Sequence, residues 1–114
     1  MAAPLVHHRH PEFRELFARV QENLRYVFQT SERVVTVVSS GTGAMEACIV
    51  NLLSAGDTVI TVNGGKFGGR WGEIARQYGA DVKECSVPWG HAIQPRQIRE
   101  MLERHPDASA VYLT

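Results

Sequence analysis

The chain has 114 residues, enough for one domain with a modest core. Lys plus Arg and Asp plus Glu each number 12, so no net field draws it to nucleic acid or an anionic membrane, and neither is expected as a partner. No apolar run approaches the ~20 residues of a membrane-spanning helix, and Met1-Ala2-Ala3-Pro4-Leu5-Val6 lacks the basic start and long apolar core of a signal peptide, so a cytoplasmic location is expected.

His7-His8-Arg9-His10-Pro11 opens the informative part of the chain. The histidines invite a metal reading, but no Cys or carboxylate lies at helical ligand spacing beside them and the proline breaks the geometry, which favours a solvated loop and no metal. Pro11 suits a first helical turn. Phe13, Leu16, Phe17, Val20, Leu24, Val27 and Phe28 then recur at three- and four-residue steps, giving a long amphipathic helix that ends near Gln29.

Residues 34–38, Val-Val-Thr-Val-Val, form a β-branched run expected to be a buried strand. Ser39-Ser40-Gly41-Thr42-Gly43 is then a tight turn into a helix whose packing face is expected to carry Ala44, Ala47, Cys48 and Leu52. A turn of small residues at a helix N-terminus offers free N–H groups, the positive end of the helix dipole and glycines that let an anion approach. The expectation is a phosphate cradle; an ordinary strand-to-helix turn without ligand is the competing reading.

Two known cradle types do not fit. A dinucleotide fingerprint needs Gly or Ala three positions after its second glycine, where Glu46 stands. A nucleotide P-loop ending at Gly65-Lys66 would need a glycine at Ile60 and a hydroxyl at Phe67.

Ala55-Gly56-Asp57 reads as a turn, with Gly56 placed to stop the preceding helix, and residues 58–62 as a buried strand ended by Asn63-Gly64-Gly65. Phe67, Trp71, Ile74, Ala75 and Tyr78 mark a helix stopped at Gly79, and residues 81–87 a further strand. After the Pro88-Trp89-Gly90 loop, Pro95 starts a helix with Ile98, Met101 and Leu102 on one face and His105-Pro106 as its stop; residues 108–114 are the last strand. Cys48 and Cys85 lack CxxC spacing and are expected to be reduced packing residues.

Strands and helices in strict alternation imply an α/β fold with a mainly parallel sheet, right-handed crossovers and ligands beyond the strands' carboxyl ends. The turn at residues 40–43 and the Asn63–Phe67 stretch both fall at such ends, so they can face one site. In domain terms, residues 1–30 are a leading loop and amphipathic helix, and residues 31–114 the alternating β/α units.

Ser39-Ser40-Gly41-Thr42-Gly43-Ala44-Met45-Glu46 resembles the cofactor-phosphate loop of the class V aminotransferases, fold-type-I pyridoxal 5′-phosphate enzymes that include the alanine–glyoxylate and serine–glyoxylate aminotransferases. The similarity extends to Tyr26-Val27-Phe28-Gln29-Thr30, Ala55-Gly56-Asp57 and Asn63-Gly64-Gly65-Lys66-Phe67-Gly68, in the family's order. The resemblance implies part of the three-layer α/β/α large domain of these transferases, working as a homodimer.

By that resemblance Ser40, Gly41, Thr42 and Gly43 hold the phosphate of pyridoxal 5′-phosphate, and Phe67 stacks on its pyridine ring. His8 and Arg9 match a His-Arg pair that holds the substrate's anionic group in a related phosphoserine aminotransferase. The implied substrates are a small amino acid, alanine or serine, and glyoxylate or another 2-oxo acid.

The Schiff-base lysine and the acidic partner of the ring nitrogen occur later in the family than the stretch matched here. The 114 residues therefore resemble about the first third of such an enzyme, contain no catalytic residue, and are expected to be inactive alone. The alternative is a non-catalytic phosphate-binding α/β module.

Overall fold

A computed structural model describes residues 5–114, which divide into two units between Val37 and Val38. The start of the stretch weighed above as a signal sequence, residues 1–4, lies outside the described residues.

The first unit is built on helix α1 (Pro11–Phe28). His10 caps its N-terminus, its Nδ1 accepting the Glu12 N–H at 3.4 Å, and Pro11 takes the first helical position, where a missing N–H costs nothing. Gln29 closes the other end at φ 51°, a left-handed residue whose N–H donates back to Arg25 and Tyr26. Phe13 and Phe17 stack with centroids 6.2 Å apart, so the apolar stripe forms as expected, yet α1 has no fully buried residue. Leu16, Phe17, Val27 and Phe28 all remain exposed.

Residues 34–38 are not a strand. A β-branched run favours a strand, but a strand also needs a neighbour to complete its ladder, and none pairs with these residues among the described ones. The run passes beside α1, where Gln21 Nε2 donates to Thr36 Oγ1 at 3.4 Å. Val35, Val37 and Val38 are exposed rather than buried.

The second unit reads α2 (Gly41–Leu52), β1 (Thr58–Asn63), α3 (Lys66–Gln77), β2 (Asp81–Ser86), α4 (Pro95–Arg104) and β3 (Ala110–Tyr112). All its strands are parallel, in the order β2-β1-β3, with Thr58 opposite Asp81 and Val59 opposite Ala110. The chain steps from β1 to β2 through α3, then returns past β1 to β3 through α4. Right-handed crossovers in opposite directions put α3 and α4 on opposite faces of the sheet, the expected α/β/α layering.

Central β1 is buried on both faces. Val59, Ile60 and Thr61 have no exposed surface, and each of the two aliphatic side chains contributes roughly 1.5–3 kcal/mol by its burial. Val59 joins Met45 and Ile49 of α2, Ile74 and Ala75 of α3, and Tyr112 of β3 in one cluster. Trp71 stacks on Tyr112 at 4.6 Å and donates from Nε1 to Thr114 Oγ1 at 3.0 Å, fixing α3 to the end of β3.

Helix α3 lies so close to β1 that a Cβ at Gly68 would stand 2.5 Å from the Val62 carbonyl oxygen. Gly72, one turn on, faces Thr61 Oγ1 at 3.3 Å from the same imagined carbon. These glycines are spacing residues rather than turn residues.

Two further expectations change. The buried face of α2 is Met45 and Ile49, while Ala44, Ala47, Cys48 and Leu52 are exposed; the helix is apolar nearly all round, so periodicity alone does not choose its face. Cys48 is consequently a surface thiol, not a packing residue. Gly56 does not stop α2, which is capped by Leu53. It takes φ 92° in the next turn and donates its N–H to the Gly79 carbonyl at 2.8 Å, tying together the turns before β1 and β2.

Candidate functional site

The carboxyl ends of β1, β2 and β3 open into one cavity of about 310 Å³. Val62, Gly65 and Phe67 line it after β1, Val87 and His91 after β2, and Thr114 after β3. Helix α3 starts here at an extended glycine, Gly65, so its first-turn N–H groups, which have no intrahelical partner, receive no side-chain cap either. Phe67 stands in that turn and is 58% exposed. It is therefore a cavity-lining aromatic rather than a core residue.

Asn63, the last residue of β1, is held by its neighbour strand: its Nδ2 donates to Glu84 Oε1 at 2.9 Å. That hydrogen bond, with those from Arg76 and Ser86, holds the Glu84 carboxyl below the ordinary carboxylate range. The Gly64-Gly65 loop is thus anchored at its root by a charged acceptor.

The start of α2 is the second feature. Ser40 is its N-cap, with extended backbone at φ −77° and ψ 166°, and its Oγ accepts the Gly43 N–H at 3.3 Å. The N–H groups of Gly41 and Thr42 lie ahead of any intrahelical carbonyl. No acidic residue occupies the first turn to offset the positive end of the dipole. Space beyond Gly41 is open, with nothing within 4 Å of where a Cβ would stand, whereas a Cβ on Gly43 would collide with the Ser39 hydroxyl. The turn therefore combines free donors, an uncompensated dipole and room for a group against the backbone.

Arg70, three residues beyond Phe67 on α3, joins the two features. Its Nη1 donates to Thr42 Oγ1 at 3.1 Å, and its Nε is shielded from solvent without a partner. One turn further along α2, Glu46 accepts a hydrogen bond from the Tyr78 hydroxyl, whose pKa is raised by that carboxylate. Helices α2 and α3 are thus cross-linked at two levels.

The structure accordingly sets Ser40, Gly41, Thr42 and Gly43 on a single helix start and Phe67 on the start of the helix bonded to it. His8 and Arg9 belong to the first unit, exposed in the turn before α1. The His8 ring lies 4.3 Å from that of His7, whose Nδ1 accepts the Arg9 N–H at 3.2 Å. Among the described residues no three His, Cys, Asp or Glu side chains converge as metal ligands. Sequence reading missed Arg70. Locally it is only a long cation after Gly68-Gly69, and the contact that marks it, to Thr42, is 28 residues distant in the chain.

Comparison with known proteins gives the family of the chain. The model of the aminotransferase class-V family matches residues 2–114. The soluble hydrogenase small subunit of Synechococcus sp. (strain PCC 6716) is 42% identical over 98 residues, 86% of this chain and 26% of that protein. The alanine–glyoxylate aminotransferase of Drosophila melanogaster is 34% identical over 106 residues, 92% of this chain and 27% of that protein. The crystal structure of an alanine–glyoxylate aminotransferase from Nostoc sp. superposes with a TM-score of 0.77 at 40% identity, covering 92% of this chain and 28% of that one. The chain thus spans about a quarter of the length of these curated relatives. With its whole described length inside the family match and its α/β fold shared with a solved member, the chain belongs to the class V aminotransferase family.

Proposed function

We propose that this chain carries the phosphate-holding part of a pyridoxal 5′-phosphate-dependent aminotransferase, which moves an amino group between a small amino acid, alanine or serine, and glyoxylate or another 2-oxo acid. The observation that carries the reading is the start of α2, an uncompensated helix N-terminus with open space over Gly41 and a hydroxyl at Thr42. When bound, the cofactor supplies the electron sink for amino-group exchange.

The chain's own residues do the holding. Gly41 and Thr42 give backbone N–H groups to the phosphate, and Thr42 adds its hydroxyl. Ser40 sets the turn by accepting the Gly43 N–H, and Gly43 lets the turn close where a side chain would meet Ser39. Phe67 offers a flat apolar face to the pyridine ring from the cavity wall. His8 and Arg9 are the proposed contacts for the substrate's anionic group, and the working form is a cytoplasmic homodimer.

Only two lysines occur, and neither suits attachment of the cofactor. Lys83 is drawn to Asp81 at 2.8 Å, at the amino end of β2. Lys66 lines the cavity but immediately precedes Phe67, so it leaves from the same first turn as the stacking ring. The required amine is therefore assigned to sequence other than these 114 residues.

A segment exchange tests the proposal. Residues 1–114 replace the matching stretch of the Nostoc alanine–glyoxylate aminotransferase, and transfer from alanine to glyoxylate is assayed beside the isolated chain. Cofactor retention and transfer in the exchange protein, with no transfer by the isolated chain, is the expected result. A folded exchange protein that loses the cofactor, or turnover by the isolated chain, would contradict the assignment.

A further inference from the structure

We infer that Arg70 is a positioning residue for the phosphate site: it orients the Thr42 hydroxyl as a donor toward the bound anion and brings an unpaired positive charge to the outer side of the cradle. The inference rests on the cofactor reading above. It begins with the direction of one hydrogen bond. A guanidinium has only donors and stays protonated, so in the 3.1 Å contact Arg70 Nη1 donates and Thr42 Oγ1 accepts. The hydroxyl keeps its own proton, and among the described residues no acceptor takes it. Thr42 is the second residue of α2, so the carbonyl four residues back, which a mid-helix threonine can use, is not part of the helix. The remaining direction for the proton is the cradle itself. Donation from a cation into the hydroxyl oxygen polarises the O–H bond, which makes it a stronger donor.

Charge supports the same reading. Among the described residues no carboxylate lies within ion-pair distance of Arg70, and its Nε is shielded from solvent without a partner. A cation left partly desolvated and unpaired is costly, and an anion one hydroxyl away lowers that cost. Geometry then couples the cradle to the ring-stacking side. Arg70 follows Phe67 by one helical turn, and the Tyr78 to Glu46 bond pins α2 to α3 one turn beyond Thr42. Movement of α3 would therefore shift donor and stacking residue together.

The test measures binding of pyridoxal 5′-phosphate and of phosphate-free pyridoxal to the 114-residue chain, with hydrogen exchange at the Gly43 and Ala44 amides as a ligand-free readout. The variants are Arg70→Met, Arg70→Lys, Thr42→Val, Thr42→Ser and the double variant Arg70→Met with Thr42→Val. Wild type should prefer the phosphate form. Arg70→Met should reduce that preference roughly tenfold, as for loss of a hydrogen bond to a charged group, and leave pyridoxal affinity unchanged. Thr42→Val should do the same and Thr42→Ser should not. The double variant should be no worse than Arg70→Met alone, because the Thr42 hydroxyl acts on the phosphate through its orientation by Arg70. Exchange at Gly43 and Ala44 should quicken in Arg70→Met while protection across β1 stays. Should Arg70→Met unfold, Arg70→Lys, which keeps charge and stem but loses the fork, carries the comparison with an intermediate preference expected. A wild-type preference that survives loss of Arg70, or losses that multiply in the double variant, overturns the positioning role alone. Equal binding of the two ligands by wild type overturns the cofactor reading, and this inference with it.

Discussion

Gly41 and Gly43 are glycines for different reasons. Gly41 faces open space, so its missing side chain leaves room for a ligand, while Gly43 lacks a side chain because Ser39 already occupies the place. Gly43→Val should therefore distort the turn and weaken cofactor binding well beyond the effect of Thr42→Ser, which keeps the hydroxyl. Calorimetric titration with pyridoxal 5′-phosphate on folded variants checks this, and equal affinities for Gly43→Val and wild type would remove Gly43 from the cradle. Phe67→Ala should loosen the cofactor by ~1 kcal/mol, about fivefold, whereas Phe67→Tyr or Trp should be tolerated. An alanine variant that binds as wild type does would make Phe67 an ordinary wall residue. The strand-end turn that starts α2 at Gly41 and the helix start around Phe67 were legible from the sequence because turn chemistry and helical spacing are local. Arg70 was not, since its partner Thr42 lies 28 residues away on another helix.

At the scale of elements, the strands at residues 58–62 and 81–87 were read to within a residue or two, since glycine and proline turns bound both. The run at 34–38 carries the same local signal and forms no ladder. What separates it from β1 is the neighbour, which a local pattern cannot reveal. The face of α2 was misread for a related reason: burial of Met45 and Ile49 is decided by the sheet and α3, not by the helix's own spacing.

Gly68 shows how tightly α3 is seated. Gly68→Ala gains helix propensity of about 1 kcal/mol but drives a carbon against the Val62 carbonyl, so a net loss of roughly 1–3 kcal/mol in chemical unfolding is expected. Increased stability would mean that α3 stands further from β1. The pH dependence has an equally local origin. Thr58 Oγ1 donates to Asp107 Oδ2 at 2.7 Å, joining the first residue of β1 to the turn before β3, and this bond depresses the Asp107 pKa. A carboxyl with a lowered folded-state pKa binds protons more weakly than the unfolded chain does. Its contribution is therefore present above its ordinary unfolded pKa, about 4, and is lost as pH falls through the depressed folded value. Asp107→Asn should flatten the acid limb of a stability-versus-pH curve, leaving the part due to Glu84. An unchanged acid limb would show that the Thr58 bond contributes nothing measurable.

Across the whole molecule, the central claim is that the start of α2 holds the phosphate of pyridoxal 5′-phosphate, with Phe67 on the adjoining helix against the ring. The alternation of elements and the order of motifs made the fold class legible in the sequence, because each β/α unit is encoded locally and parallel crossovers admit few arrangements. The most direct measurement follows the backbone amide resonances of the chain during titration with pyridoxal 5′-phosphate, inorganic phosphate and pyridoxal. The account predicts that Gly41, Thr42 and Gly43 shift with both phosphate-bearing ligands and not with pyridoxal, and that amides around Phe67 shift only with the two ring-bearing ligands. Phosphate-dependent shifts gathered elsewhere, with residues 41–43 unmoved, would contradict it.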